Sequence, residues 1–232
     1  LAKTIATKPR RLSHRFLFIP GTIGSITWLA RNEALVPRIR HGLVVTCAGD
    51  SGPVTYKQTR DANAPIDRAM RQTLMDSGDD HRILPFHPYG YDERQYNSPG
   101  IRLPAGALMR SPHGTFREYH TSADNLDFIR PDRMRDTFDK ALAAIDILEH
   151  NATYLNLKPM GEPRLGKYGL YGTHGGSRGA DFDELALLWT LNLCDGTHDL
   201  LAIAERSGMR FTQILAAARQ LEQAGLLRRC AL

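Results

Sequence analysis

The chain has 232 residues, 42% of them hydrophobic and 24% charged, with a formal net charge of +5. This composition excludes a disordered or collagen-like chain, and no apolar run approaches the ~20 residues of a membrane-spanning helix. The basic balance permits nucleic-acid contact without requiring it. Cys47, Cys194 and Cys230 lack paired spacing, which argues against a disulfide framework or a cysteine-based zinc knuckle and for reduced thiols in a cytoplasmic protein. No segment has the form of a signal peptide, and no membrane contact is expected. The chain starts at Leu1 and runs almost at once into bulky apolar sequence, so the expectation is the C-terminal portion of a longer polypeptide.

Residues 1–11 are polar and basic and read as a frayed approach. Residues 14–20 (HRFLFIP) suit a strand buried on both faces. The turn Gly21-Thr22-Ile23-Gly24-Ser25 follows, and a helix is expected from Ser25 to Asn32. Strand, glycine turn and helix together suggest a phosphate loop. However, there is no G-x-G-x-x-G and no following Lys-Ser/Thr, so tight packing of turn on sheet is the better reading. Residues 43–48 (LVVTCA) read as a second buried strand, ending in Gly49-Asp50-Ser51-Gly52-Pro53. Ligands bind beyond the carboxyl ends of strands in open α/β sheets, so Asp50 is either a ligand-binding acid or an Asp closing a turn. A short strand is expected at 54–57.

Residues 64–75 form an amphipathic helix, with Pro65 near its start and Ile66, Met70 and Leu74 at four-residue spacing. A short strand is expected at 82–86. Residues 89–127 then hold the densest chemistry in the chain. Carboxylates, a histidine and hydroxyls flank one apolar strand at 105–109, between the loop signals Asn97-Ser98-Pro99-Gly100 and Pro112-His113-Gly114. Loops held by a rigid sheet are where binding and catalytic groups concentrate. Asp92-Glu93-Arg94 and Glu118-Tyr119-His120 are the candidates, with an Asp92/Glu93 ion pair to Arg94 as the purely structural alternative. A helix spans 131–148, with Met134, Phe138, Leu142, Ile145 and Leu148 as its apolar stripe. Strands alternating with helices point to an α/β sandwich.

The glycine-rich stretch 158–182 reads as a linker between a domain at 1–157 and another at 183–232. Helices are expected at 184–192, 200–207 and 211–224, with a turn at Gly208 and a strand at 226–229. This order describes a winged helix-turn-helix. The third helix offers Arg210, Thr212, Gln213, Arg219, Gln220, Glu222 and Gln223, a mildly basic set. DNA reading on one hand, and packing or dimerisation on the other, stay open, with DNA the less favoured.

Three motifs carry a family resemblance: FLFIPGTIGS at 16–25, YDERQY at 91–96 and EYHTSADNLD at 118–127. They resemble a bacterial family of aminopeptidase-like proteins with a C-terminal winged helix, whose members often lie among surface-polysaccharide biosynthesis functions. That family is similar to the co-catalytic two-zinc aminopeptidases. The resemblance implies a three-layer α/β/α zinc-peptidase-like core, present in part, followed by a small winged-helix domain. It implies Zn2+ as cofactor, with Asp50 and His120 as metal ligands and Asp124 orienting His120. Asp92, Arg94 and Tyr119 would line a substrate pocket, and Glu93 would be the catalytic acid/base, with Glu118 as an alternative. The substrate would be a peptide or another aminoacyl or amide compound, attacked by a water that zinc activates.

Two departures matter. The superfamily's other His ligand and bridging Asp lie ahead of the first strand here, so this chain does not carry the complete set. The turn where the superfamily places a Glu reads Pro20-Gly21-Thr22. A degenerate binding or regulatory protein is therefore the rival to a hydrolase. Self-association is left open.

Overall fold

The computed structural model describes residues 1–170 and 183–231. The chain divides into two compact units, Leu1–Glu149 and His150–Leu232.

The first unit opens with a single helical turn, α1 (Ala2–Ile5), and Ile5 is buried. The residues after it are tied down rather than frayed. Arg11 donates from its Nε to the Glu149 carbonyl at 3.0 Å and from Nη2 to the Leu148 carbonyl at 2.7 Å. The Glu149 carboxylate accepts from the backbone N–H groups of Arg11 and Leu12. These partners lie 138 positions apart in the chain, beyond the reach of any local pattern.

Helix α2 (Ile23–Arg31) follows, then a 3-10 turn at Glu33–Arg38. Strand β1 (Gly42–Val45) leads to β2 (Val54–Lys57), and α3 (Pro65–Ser77) carries proline at its start. Asp67 in its first turn is buried and accepts from Tyr56 Oη, from the N–H and hydroxyl of Thr59, and from the N–H of Ala64. One carboxylate thus caps the helix and fastens it to β2. Next come β3 (His81–Leu84), the short α4 (Glu93–Tyr96), β4 (Ala105–Met109) and α5 (Pro131–His150).

The sheet runs in the order β1-β4-β2-β3. β1 is parallel to β4 and β2 to β3, while β2 and β4 are antiparallel. Every residue of β4 is buried, as its unbroken apolar sequence demands. The unit is therefore a mixed α/β fold.

Three expectations change here. Residues 14–20 form no strand; Phe18 is 90% exposed. A strand needs a neighbour to bond, and no described segment pairs with this one. β1 is an edge strand, and its Val45 faces outward. The buried side of α5 is Thr137, Lys140, Ala141, Ala144, Ile147 and Leu148, whereas Met134 is exposed. Alanines set that side because a helix lies close to what it packs on only where its side chains are small. Lys140 reaches Asp79 and Asp136, and Thr137 Oγ1 donates to the Ala48 carbonyl at 2.9 Å.

The second unit begins with β5 (Thr153–Asn156). A 3-10 turn at Leu165–Tyr168 buries Leu165. Then come α6 (Glu184–Leu193), β6 (Asp195–Asp199), α7 (Leu200–Ser207), α8 (Phe211–Gln223) and β7 (Leu227–Arg229). β5 is the central strand of a sheet ordered β6-β5-β7, antiparallel to both neighbours. The boundary thus falls at 149/150 rather than after 157. The glycine-rich stretch lies inside the second unit, between β5 and α6; its part at 171–182 is outside the described residues. Asp183 accepts from Ala186 N at the start of α6 and from Gln213 Nε2 on α8, locking those helices together.

Candidate functional site

Asp50 ends the loop that leaves β1 and is 4% exposed. Its Oδ1 accepts from Gly52 N at 2.8 Å and from Ser111 Oγ at 2.6 Å, and its Oδ2 accepts from Ser111 N at 3.1 Å. Arg110 Nε donates to the Gly52 carbonyl at 2.8 Å. The acid therefore stitches the exit of β1 to the exit of β4. A carboxylate has about four lone-pair positions, so one remains open on Oδ2. Cys47, in the same loop, takes a left-handed φ of 42°. Burial raises its thiol pKa; the Thr46 hydroxyl opposes this, and the nearby carboxylates of Asp50 and Asp124 add to it.

Glu93 is fully buried and pairs with Lys57 Nζ at 2.7 Å. Lys57 also donates to the Tyr89 carbonyl, and both oxygens of Glu93 accept from Tyr91 N. Residues 89–93 are folded around this ion pair. Arg94 is not the partner of either acid; its Nε is buried without a hydrogen bond. Asp92 accepts from Thr22 N at 2.6 Å. Thr22 sits at φ 60°, ψ −62°, and Ile23 N bonds back to the Gly21 carbonyl at 2.6 Å, a strained three-residue turn. The Tyr91 ring lies directly on Gly21: a Cβ there would come within 1.9 Å of the phenol oxygen. A side chain at 21 would force the Tyr91 ring to move.

Beside Tyr91 runs a ladder of rings. His113 stacks on Tyr91 with centroids 5.4 Å apart, and Tyr119 meets His113 edge-on at 6.1 Å. His120 stacks on Tyr119 at 4.0 Å. Phe116 packs against both Tyr119 and Phe128. Burial lowers the His113 pKa; Glu93 opposes the shift, while Lys57 and His120 reinforce it. Its Nε2 is buried without a partner. His120 is exposed at φ 57°, and among the described residues no hydrogen-bond partner is seen for its ring nitrogens. Asp124 is exposed; its backbone N–H bonds to the Thr121 carbonyl, and its carboxylate makes no bond to His120.

No hydrogen bond or ion pair among the described residues joins Asp50 to His120; the first is held by Gly52 and Ser111 and the second stacks on Tyr119. Among the described residues, no group of three or more His, Cys, Asp or Glu side chains is placed to hold a metal ion. Lys57, Ser111 and His113 carry no signal in the sequence that marks them for the site. His113 sat inside a turn signal, and Lys57 inside a strand, where nothing marked a buried charge.

A family model described as Domain of unknown function (DUF4910) matches residues 1–151. The chain belongs to this family. A winged helix-turn-helix model matches 152–229, in step with the observed division at 149/150. A Clostridium acetobutylicum protein, provisionally named a polysaccharide biosynthesis protein with aminopeptidase-like domain, is 48% identical over 228 residues. The match covers 98% of this chain and 52% of that protein. A crystal structure from the same organism, provisionally called a peptidase, superposes with a TM-score of 0.91 at 45% identity, covering 99% of this chain and 51% of the other. This chain therefore spans about half the length of both. An aminopeptidase from Aneurinibacillus sp. strain AM-1 shows a remote likeness, with a TM-score of 0.45 and 17% identity over 54% of this chain and 30% of that one.

Proposed function

We propose that this chain forms part of an aminopeptidase-like hydrolase acting on an amide bond, with Zn2+ as its cofactor and Asp50 and His120 among the metal ligands. The observation that supports it best is the 48% identity, over nearly the whole chain, to a relative whose name carries an aminopeptidase-like domain. Local chemistry is compatible with it. Asp50 is oriented by three donors and keeps a lone pair open, the usual condition of a ligating carboxylate. His120 presents an exposed imidazole whose nitrogens have no hydrogen-bond partner among the described residues.

The described residues do not fit a complete zinc site, since they contain no group of three such ligands. No hydrolytic step is assigned to this chain alone. What its residues do is structural: Asp50 joins two loops, and the Lys57–Glu93 pair holds residues 89–93 under the ring ladder.

A catalytically degenerate binding or regulatory domain is the second reading, and one feature favours it. Gly21 carries no side chain and the Tyr91 ring fills the space beside it, and Glu93 is paired with Lys57, so neither place offers a free base.

Zinc titration calorimetry on a polypeptide of the relatives' full length that contains this chain tests the ligand assignment. Binding is expected, weakened at least ~10-fold by His120→Ala. Affinity unchanged by that substitution removes His120 from the ligand set. A polypeptide of the relatives' full length that binds zinc stoichiometrically yet leaves aminoacyl p-nitroanilides intact selects the degenerate reading.

A further inference from the structure

The loops after β3 and β4 bring together rings that lie far apart in sequence: Tyr91 stacks on His113, and Tyr119 meets His113 edge-on. Tyr89 stands beside them, 63% exposed, with its phenol oxygen 3.9 Å from the place a Cβ would take on Gly114. Burial raises the Tyr119 pKa, and the nearby Tyr89 phenol, Cys47 thiol and Tyr91 phenol add to it. The loop that carries Tyr89 and Tyr91 is held from below, where Lys57 bonds the Tyr89 carbonyl and Glu93 bonds the Tyr91 N–H. Rings that serve only a core bury their faces and pair their polar tips. Here Tyr89 faces out, and His113 Nε2 is buried with no partner among the described residues.

The chemistry of these groups selects a ligand. The four rings bring no carboxylate or ammonium, and the charges of Lys57 and Glu93 answer each other. A ligand needs an apolar face to lie on a ring and a polar rim to reach the buried imidazole nitrogen. A purely hydrocarbon ring meets the first need but leaves that nitrogen desolvated and unpaired. A sugar ring meets both: the C–H bonds of one face pack on an aromatic ring, and a hydroxyl donates or accepts, whichever the imidazole tautomer requires. We propose that Tyr89, Tyr91, His113 and Tyr119 form a binding site for the ring of an uncharged sugar, one of whose hydroxyls bonds to His113 Nε2. The proposal rests on the amide-hydrolase reading only in making that sugar part of the compound whose amide would be cleaved.

Saturation-transfer NMR with cellobiose, a sugar that has no amide, tests the ring contact on a polypeptide of the relatives' full length that contains this chain. Transfer to the C–H protons of the sugar is expected. Tyr89→Ala should weaken binding at least ~3-fold with an unchanged melting curve, because that side chain is exposed. His113→Phe, which keeps a ring on Tyr91 but removes Nε2, should also weaken it at least ~3-fold. No transfer, or binding that neither variant changes, overturns the proposal. Stronger binding of N-acetyl-L-phenylalaninamide than of cellobiose at these residues overturns the assigned ligand class. Sugar binding by a polypeptide that cleaves no amide supports the site and removes the hydrolase reading alone.

Discussion

Glu93 and Asp50 are both buried acids beside the same loops, but they stand in opposite electrostatic situations. Glu93 faces a full positive charge at 2.7 Å, with side-chain exposures of 7% for Lys57 and 0% for Glu93. Asp50 faces only neutral donors, the N–H groups of Gly52 and Ser111 and a serine hydroxyl. Removing one member of a buried ion pair leaves the other desolvated and unmatched, which costs roughly 3–5 kcal/mol. Glu93→Gln should therefore lower unfolding free energy by about that amount, read from urea denaturation. A loss below ~1 kcal/mol would show that Lys57 is satisfied by the Tyr89 carbonyl alone. Burial of this kind also removes Glu93 from the list of ready general bases. The same residue that sequence patterning marks for chemistry serves here to shape the loop.

At the scale of elements, α5 shows how packing chooses a face. Hydrophobic periodicity picks Met134, Phe138 and Leu142; contact picks Ala141, Ala144 and Ile147. Ala144 is fully buried, whereas Met134 is 51% exposed. Ala144→Leu should cost ~1–3 kcal/mol through overpacking, while Met134→Ala should stay within ~0.5 kcal/mol. Denaturation midpoints at unchanged slope distinguish the two faces, and a reversed order would restore the apolar stripe as the packed side. The last turn of α5 has a second task. Glu149 is desolvated, which alone would raise its pKa, but backbone hydrogen bonds from Arg11 and Leu12 outweigh this and draw it below the ordinary carboxylate value. Its anchoring of the N-terminal stretch is therefore complete near neutral pH and fades as pH falls through that depressed value.

The second unit has the helix-turn-helix order, but its α8 exposes Thr212, Ala216, Arg219, Glu222 and Gln223, with Arg210 exposed at its N-cap, a face with two positive charges and one negative. Phosphate contacts supply most non-specific DNA affinity, and such a face offers few. No retardation of a duplex is expected at ~1 µM protein in low salt. A shift that collapses steeply with added salt would establish DNA contact. No helix among the described residues is long and apolar enough to cross a membrane.

What the sequence determined by itself was local. The helices at 65–77 and 184–193, the buried strand at 105–109 and the order of the winged unit follow from periodicity, proline placement and turn residues within a few positions of each other. Tertiary structure decided everything that depends on a distant partner. It gave residues 14–20 no ladder, moved β5 into the second unit's sheet, and chose the alanine face of α5. It matched Glu93 with Lys57, 36 positions away, instead of with the adjacent Arg94. A backbone pattern states what a segment can become; burial and pairing depend on groups that only the folded chain brings within reach.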